Sequence, residues 1–182
     1  MYSWHPFAFS DLPTSRGQFD QKKVLASSNL PAKIEQREQA LQQAITLVKK
    51  LNALGVHVLI NAPMPIFRSS PFRCSDWFNR SNPLCKPGFL IDRALLLKHR
   101  EPTMASLKIL HDTHGVDVWD PFPVLCPEPV CSAFNKDKPL FVDDNHISGY
   151  ANRLLVPSFT NALRKIWKEN QELQEHSLIS LH

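Results

Sequence analysis

Apolar positions along this chain change period several times, and proline marks most of the changes. Ile34, Leu41, Ala44, Ile45, Val48 and Leu51 recur at helical spacing, while Glu35, Gln36, Arg37, Gln42, Gln43, Lys49 and Lys50 cover much of the other face. The spacing predicts a helix that opens at Pro31, capped by Asn29 or Ser28. Gly55 suits the left-handed position after its C-terminus. Val56-His57-Val58-Leu59-Ile60-Asn61-Ala62 follows at once. It is short, β-branched and nearly continuous in apolar character, the pattern of a buried parallel strand, and Pro63 and Pro65 end it.

Residues 63–89 read as a long loop, with Pro63, Pro65, Pro71, Pro83 and Pro87 along it. A second helical region runs from about Leu90 to His114 and stops at Gly115, with Pro102 expected to break or restart it. Val116-Asp117-Val118-Trp119 is the next strand, closed by Asp120-Pro121. A second proline-rich loop precedes a last strand, Leu140-Phe141-Val142. A final helix starts near Ser148, with Pro157 as a kink or restart. Residues 1–30 show no period and read as an irregular N-terminal segment, 31–170 as the domain, and 171–182 as a polar tail. Helices alternating with apolar strands predict an α/β fold: a three-layer α/β/α sandwich on a mainly parallel sheet.

Composition narrows the function classes. Hydrophobic residues make up 43% of the 182 and charged residues 21%, an ordinary globular balance. The net charge of +4 is mild and no long basic run exists, so nucleic acid is not an expected partner. No stretch of eighteen apolar residues exists, and the N-terminus lacks the pattern of a signal peptide. Fifteen prolines against five glycines point to stiff loops rather than glycine hairpins. The four cysteines, Cys74, Cys85, Cys126 and Cys131, lie in the two proline-rich loops. Read locally they make two short bridges, Cys74–Cys85 and Cys126–Cys131, although four cysteines allow three pairings. A zinc site built from all four cysteines is the rival reading, with spacings at or beyond the usual limits.

The chemistry concentrates after the last strand, at Asp143-Asp144-Asn145-His146-Ile147-Ser148. An acid and a histidine on a loop at the end of a strand form half of a hydrolase-type triad. The imidazole serves as base, and the carboxylate sets its tautomer and stabilises its charged form. The same residues also suit a plain surface loop in which Asp143 or Asp144 caps the next helix. His111 and His114 share a helix face without an evident third metal ligand, and neither a metal nor another cofactor is expected. Arg68, Arg73, Arg80 and Arg100 have the charge to contact an anionic polymer. Phe72, Trp77 and Phe78, beside Cys74, have the rings to stack on a sugar.

Together these segments resemble the SGNH hydrolases, and most closely the SGNH-type domain fused to membrane acyltransferases that O-acylate bacterial surface polysaccharides. The resemblance runs over roughly residues 30–160: helix and strand into a Pro-rich loop with cysteines (Val56 to Cys85), a strand ending in Asp-Pro before a Leu-Cys…Cys segment (Val116 to Cys131), then Asp-x-x-His-Ile-Ser. It implies His146 as general base, Asp143 as its orienting acid, and Ser148 as a helix cap. It also implies disulfides rather than zinc and, more thinly, a substrate-side role for Trp4 beside Trp77. A carbohydrate acceptor, an acyl donor and a membrane acyltransferase domain upstream of Met1 are the implied partners. The periplasmic face of the bacterial inner membrane is the implied location.

One departure is large. The family nucleophile is a serine in a Gly-Asp-Ser block on the first strand. Here Gly17, Gly55, Gly88, Gly115 and Gly149 are never followed by Asp, and no Gly-x-Ser-x-Gly elbow exists. The chain therefore reads as an SGNH-like domain without its first strand, inactive alone. The alternatives are an esterase relative and a non-catalytic carbohydrate-binding or interaction module.

Overall fold

In a computed structural model, the structure describes residues 31–67, 70–79, 82–85, 89–143 and 146–179, with the backbone alone for 31–32, 84 and 169–179. Helix α1 spans Pro31–Ala53 and turns off at Gly55, whose φ of +73° matches the expected left-handed position. Strand β1 is Leu59–Asn61, shorter than the predicted 56–62. A one-turn helix α2 (Pro71–Cys74) and two 3₁₀ turns (Trp77–Asn79 and Pro83–Cys85) follow. Strand β2 (Leu90–Asp92) leads into helix α3 (Arg93–His114), and strand β3 is Asp117–Trp119. The short helix α4 (Phe122–Leu125), β4 (Val130–Ser132), β5 (Phe134–Asn135) and β6 (Lys138–Pro139) come before the long helix α5, Gly149–Ile179.

Parallel pairing among the described residues is confined to β1 and β3, in the register Leu59↔Asp117, Ile60↔Val118 and Asn61↔Trp119. The other ladders, β2 with β4 and β5 with β6, are antiparallel. The described residues thus form an α/β arrangement with a small parallel sheet, not the mainly parallel one predicted. Proline accounts for part of the difference. Pro63 and Pro121 follow the parallel strands closely, and a residue without an N–H cannot continue a ladder.

Two cores hold the strands. Val48 of α1 meets Leu107 and Leu110 of α3 with Ala62 and Val116, and Ile60 and Val118 pack against this cluster. The second core gathers Phe67, Phe122, Leu125, Phe141 and Leu155 around Cys126 and Cys131. Trp119, at the end of β3, reaches α5: its indole N–H donates to Ser158 Oγ at 3.0 Å and its ring packs on Phe159.

Helix α3 runs through Pro102, which was expected to break or restart it, and α5 runs through Pro157 without a restart. An interior proline costs about 3 kcal/mol. In α3, apolar contacts lie on both sides of it, with Leu96 before and Leu107 and Leu110 after, so the burial of one continuous face outweighs that cost. In α5, Leu155 and Phe159 do the same across Pro157. The α5 backbone also runs helically through the predicted tail to Ile179.

Arg100 is the buried cation of this framework, its side chain 7% exposed. It donates to Asp120 Oδ1 at 2.7 Å and lies 4.4 Å over the Phe122 ring, while its Nε has no hydrogen-bond partner. Asp120 Oδ1 also accepts the Phe122 N–H, so one carboxylate starts α4 and neutralises the guanidinium. Asp120→Ala should cost about 2–4 kcal/mol by stranding a buried charge, and Arg100→Met, which keeps the bulk, should cost less. Urea unfolding measures both. Equal losses would mean that packing on Phe122, not the ion pair, carries the effect.

Candidate active site

The loop carrying the acid and the histidine is a tight reversal. Phe141 and Ile147 form an antiparallel bridge, the Val142 N–H donates to the His146 carbonyl at 2.7 Å, and the Ser148 N–H donates to the Leu140 carbonyl at 2.9 Å. The predicted strand Leu140–Val142 is therefore reduced to one side of this bridge. In- and outward positions alternate across it. Phe141 is fully buried against Phe67, with ring centroids 5.1 Å apart, and Ile147 packs on the same core, while Val142 and His146 face outward. The Ser70 hydroxyl donates to the Val142 carbonyl at 2.6 Å, so the loop is braced by the chain that leaves the carboxyl end of β1.

Both oxygens of Asp143 serve His146. Oδ1 accepts the His146 backbone N–H at 2.7 Å, and Oδ2 bonds Nδ1 of the imidazole at 2.7 Å. The first bond fixes the turn and the second fixes the ring. The pair stays open to solvent, His146 at 62% and Asp143 at 44%. A carboxylate on Nδ1 favours the tautomer with its proton there, so Nε2 becomes the basic nitrogen. Nitrogen NMR of the neutral imidazole should accordingly show an unprotonated Nε2. Asp143→Asn should move the proton toward Nε2, because an amide N–H can donate to Nδ1. An unchanged spectrum would mean that Asp143 does not set the tautomer.

Ser148, the next serine along, is no nucleophile. Its hydroxyl donates to the Pro139 carbonyl at 2.7 Å and accepts the Ala151 N–H at 3.1 Å, capping α5 from a buried position. Each other serine side chain among the described residues, at 70, 75, 106, 132 and 158, is also hydrogen-bonded to backbone or to Trp119.

The remaining candidates are placed as follows. Trp77 is 81% exposed on its 3₁₀ turn and meets Phe78 edge-on at 5.9 Å. The cysteines form the two local bridges, Cys74–Cys85 and Cys126–Cys131, the second buried in the core. His111 Nδ1 bonds the Val116 carbonyl at 2.8 Å, and no cluster of metal-ligating side chains exists among the described residues. Trp4, Asp144 and Asn145 lie outside the described residues.

Sequence patterning missed a second histidine–acid pair. His57 Nε2 bonds Asp117 Oδ2 at the amino ends of β1 and β3, the opposite end from the His146 loop. No local motif signals it, since 60 residues separate the partners. Ser70 was missed for the same reason, with 72 residues between it and Val142.

A family model described as the SGNH domain fused to AT3 domains matches residues 6–161. Comparisons with curated proteins and with solved structures find no match. The match takes in both disulfide loops, the parallel pair and the Asp143–His146 turn, and it covers far more than half of the chain. The chain therefore belongs to the SGNH domain family, in the form that is joined to AT3 acyltransferase domains.

Proposed function

We propose that this domain contributes the base and the acid of an acyl-transfer site in a carbohydrate O-acyltransferase. The observation that carries the reading is the double engagement of His146 by Asp143. In the cycle, His146 Nε2 takes the proton of a serine hydroxyl as its oxygen attacks the acyl carbonyl. Asp143 stabilises the imidazolium that forms. The donor's leaving group departs with that proton, and an acyl-serine remains. A sugar hydroxyl, deprotonated in turn by His146, then attacks the acyl group, and the serine recovers its proton. Backbone N–H groups would hold the oxyanion.

The attacking serine is not one of the hydrogen-bonded serines described above, and the chain has no Gly-Asp-Ser block to supply it. We place it on a further strand of a wider, three-layer sandwich. An AT3 membrane domain would deliver the acyl group. The two disulfides agree with an oxidising compartment such as the periplasm.

The test uses an aryl acetate. The chain as it stands should turn it over at the buffer rate. The same chain carrying an in-frame Gly-Asp-Ser strand ahead of residue 1 should gain turnover that depends on His146. Turnover by the chain itself, lost in His146→Ala, would overturn the reading.

The exposed Trp77 favours a second reading, a non-catalytic glycan-binding module. Glycan binding that survives His146→Ala and disappears with Trp77→Ala would support it.

A further inference from the structure

Around the Cys74–Cys85 loop, three aromatic side chains turn outward. Trp77 is 81% exposed, Phe78 62% and Phe72 52%, in a stretch of only seven residues. Exposed aromatic clusters of this kind mark contact surfaces. The cluster is also held in place. The disulfide closes the loop across 11 residues, the Asn79 side-chain amide donates to the Arg73 carbonyl at 2.8 Å, and the Ser75 hydroxyl donates to the Phe72 carbonyl at 2.6 Å. Trp77 and Phe78 stand at 89° to each other, forming an edge-to-face wedge rather than a flat platform.

Charge selects among occupants. Between Ile66 and Phe89 the sequence carries Arg68, Arg73, Arg80 and Lys86 against the single acid Asp76. Those 24 residues thus hold a net +3 of the whole chain's +4. Aromatic rings flanked by cations are the chemistry of a lipid–water interface. Indole and phenyl rings settle at headgroup depth, and Arg and Lys pair with anionic headgroups. Membership of a family joined to AT3 acyltransferase domains puts a bilayer within reach. No described helix is long and apolar enough to cross it.

We propose that the tip of the Cys74–Cys85 loop, Trp77 and Phe78 with Arg73, is a membrane-interface anchor that docks on an anionic lipid surface. The inference rests on family membership and on the loop, not on the acyl-transfer reading of His146. Docking would set the height of the His146 turn above the bilayer, because the same stretch of chain braces that turn through Ser70.

The test is partition of the full chain onto phosphatidylglycerol–phosphatidylethanolamine vesicles, by co-sedimentation and tryptophan emission. Binding with a blue shift is expected, weakened by salt and by substituting phosphatidylcholine vesicles. Trp77→Ser/Phe78→Ser should lower partition at least about tenfold, and Arg73→Glu about fivefold or more. Far-UV circular dichroism checks that the variants remain folded, and Trp77→Phe should retain most of the binding. His146→Ala should bind as the parent does, which separates this test from that of the acyl-transfer site. No binding to anionic vesicles, or binding lost on Trp167→Ala, which removes the 70% exposed tryptophan of α5, but kept in the loop variant, would overturn the proposal. So would a loop that binds polysaccharide and no vesicle.

Discussion

His146→Ala should lower acyl transfer by about 10⁶-fold once a Gly-Asp-Ser strand supplies the serine. Without the imidazole, the serine hydroxyl must attack with its proton still attached, and the acyl-serine must be opened without a base. What remains is binding and oxyanion stabilisation, so a small residual rate is expected rather than none. Asp143→Asn should cost less, about 10⁴-fold, and by another route. It leaves the ring in place and presents the wrong tautomer, with a proton where the lone pair is needed. Two features distinguish the predicted dyad from a loop that merely carries a histidine. The two substitutions should be far from additive, since they remove one device. Asp143→Glu, whose longer arm cannot hold both the His146 N–H and Nδ1 in the same turn, should not restore the rate. Initial-rate kinetics with an aryl acetate decide this. Independent, additive effects would mean that the carboxylate acts on something other than the imidazole.

Phe141→Ala should be the most damaging single change to stability, at about 3–5 kcal/mol. The ring is fully buried, packs at a tilt against Phe67, and sits in the core that Phe122, Leu125 and Leu155 share. Deleting it removes apolar burial and leaves a cavity. A domain of this size has about 5–15 kcal/mol to lose. The effect is also local in a telling way. Phe141 is one partner of the bridge to Ile147 that closes the Asp143–His146 turn, so the loop should lose hydrogen-exchange protection ahead of α3. Val142→Ala, one residue on and exposed, should change stability by less than about 1 kcal/mol. Urea unfolding followed with hydrogen exchange tests the pair. A loss at Phe141 as small as that at Val142 would show that the turn is not held from below.

The parts of the site that were legible in the sequence are those with short reach. Asp143 and His146 are three residues apart, and a turn of that length brings a carboxylate to both the backbone N–H and the ring. The cap at Ser148 is equally local, because the hydroxyl needs only the N–H of Ala151. The bridges Cys74–Cys85 and Cys126–Cys131 close 11 and 5 residues. Pro102 was expected to interrupt α3 because the cost of an interior proline is local and visible, whereas the burial that outweighs it depends on other elements.

By itself, then, the sequence determined the central parts of the three long helices, where proline stops the strands, and that an acid and a histidine share one turn. Each of these follows from interactions within a few residues. Tertiary structure alone decided how far the parallel pairing extends and that β2 with β4 and β5 with β6 pair antiparallel, since strands of two or three residues carry too little pattern to name their partners. It also decided that Ser70 braces the Val142 carbonyl, that Asp120 neutralises Arg100, and that His57 meets Asp117 at the far end of the parallel pair. Those contacts join residues 72, 20 and 60 positions apart, and no local period encodes them. They form when packed cores bring their elements together.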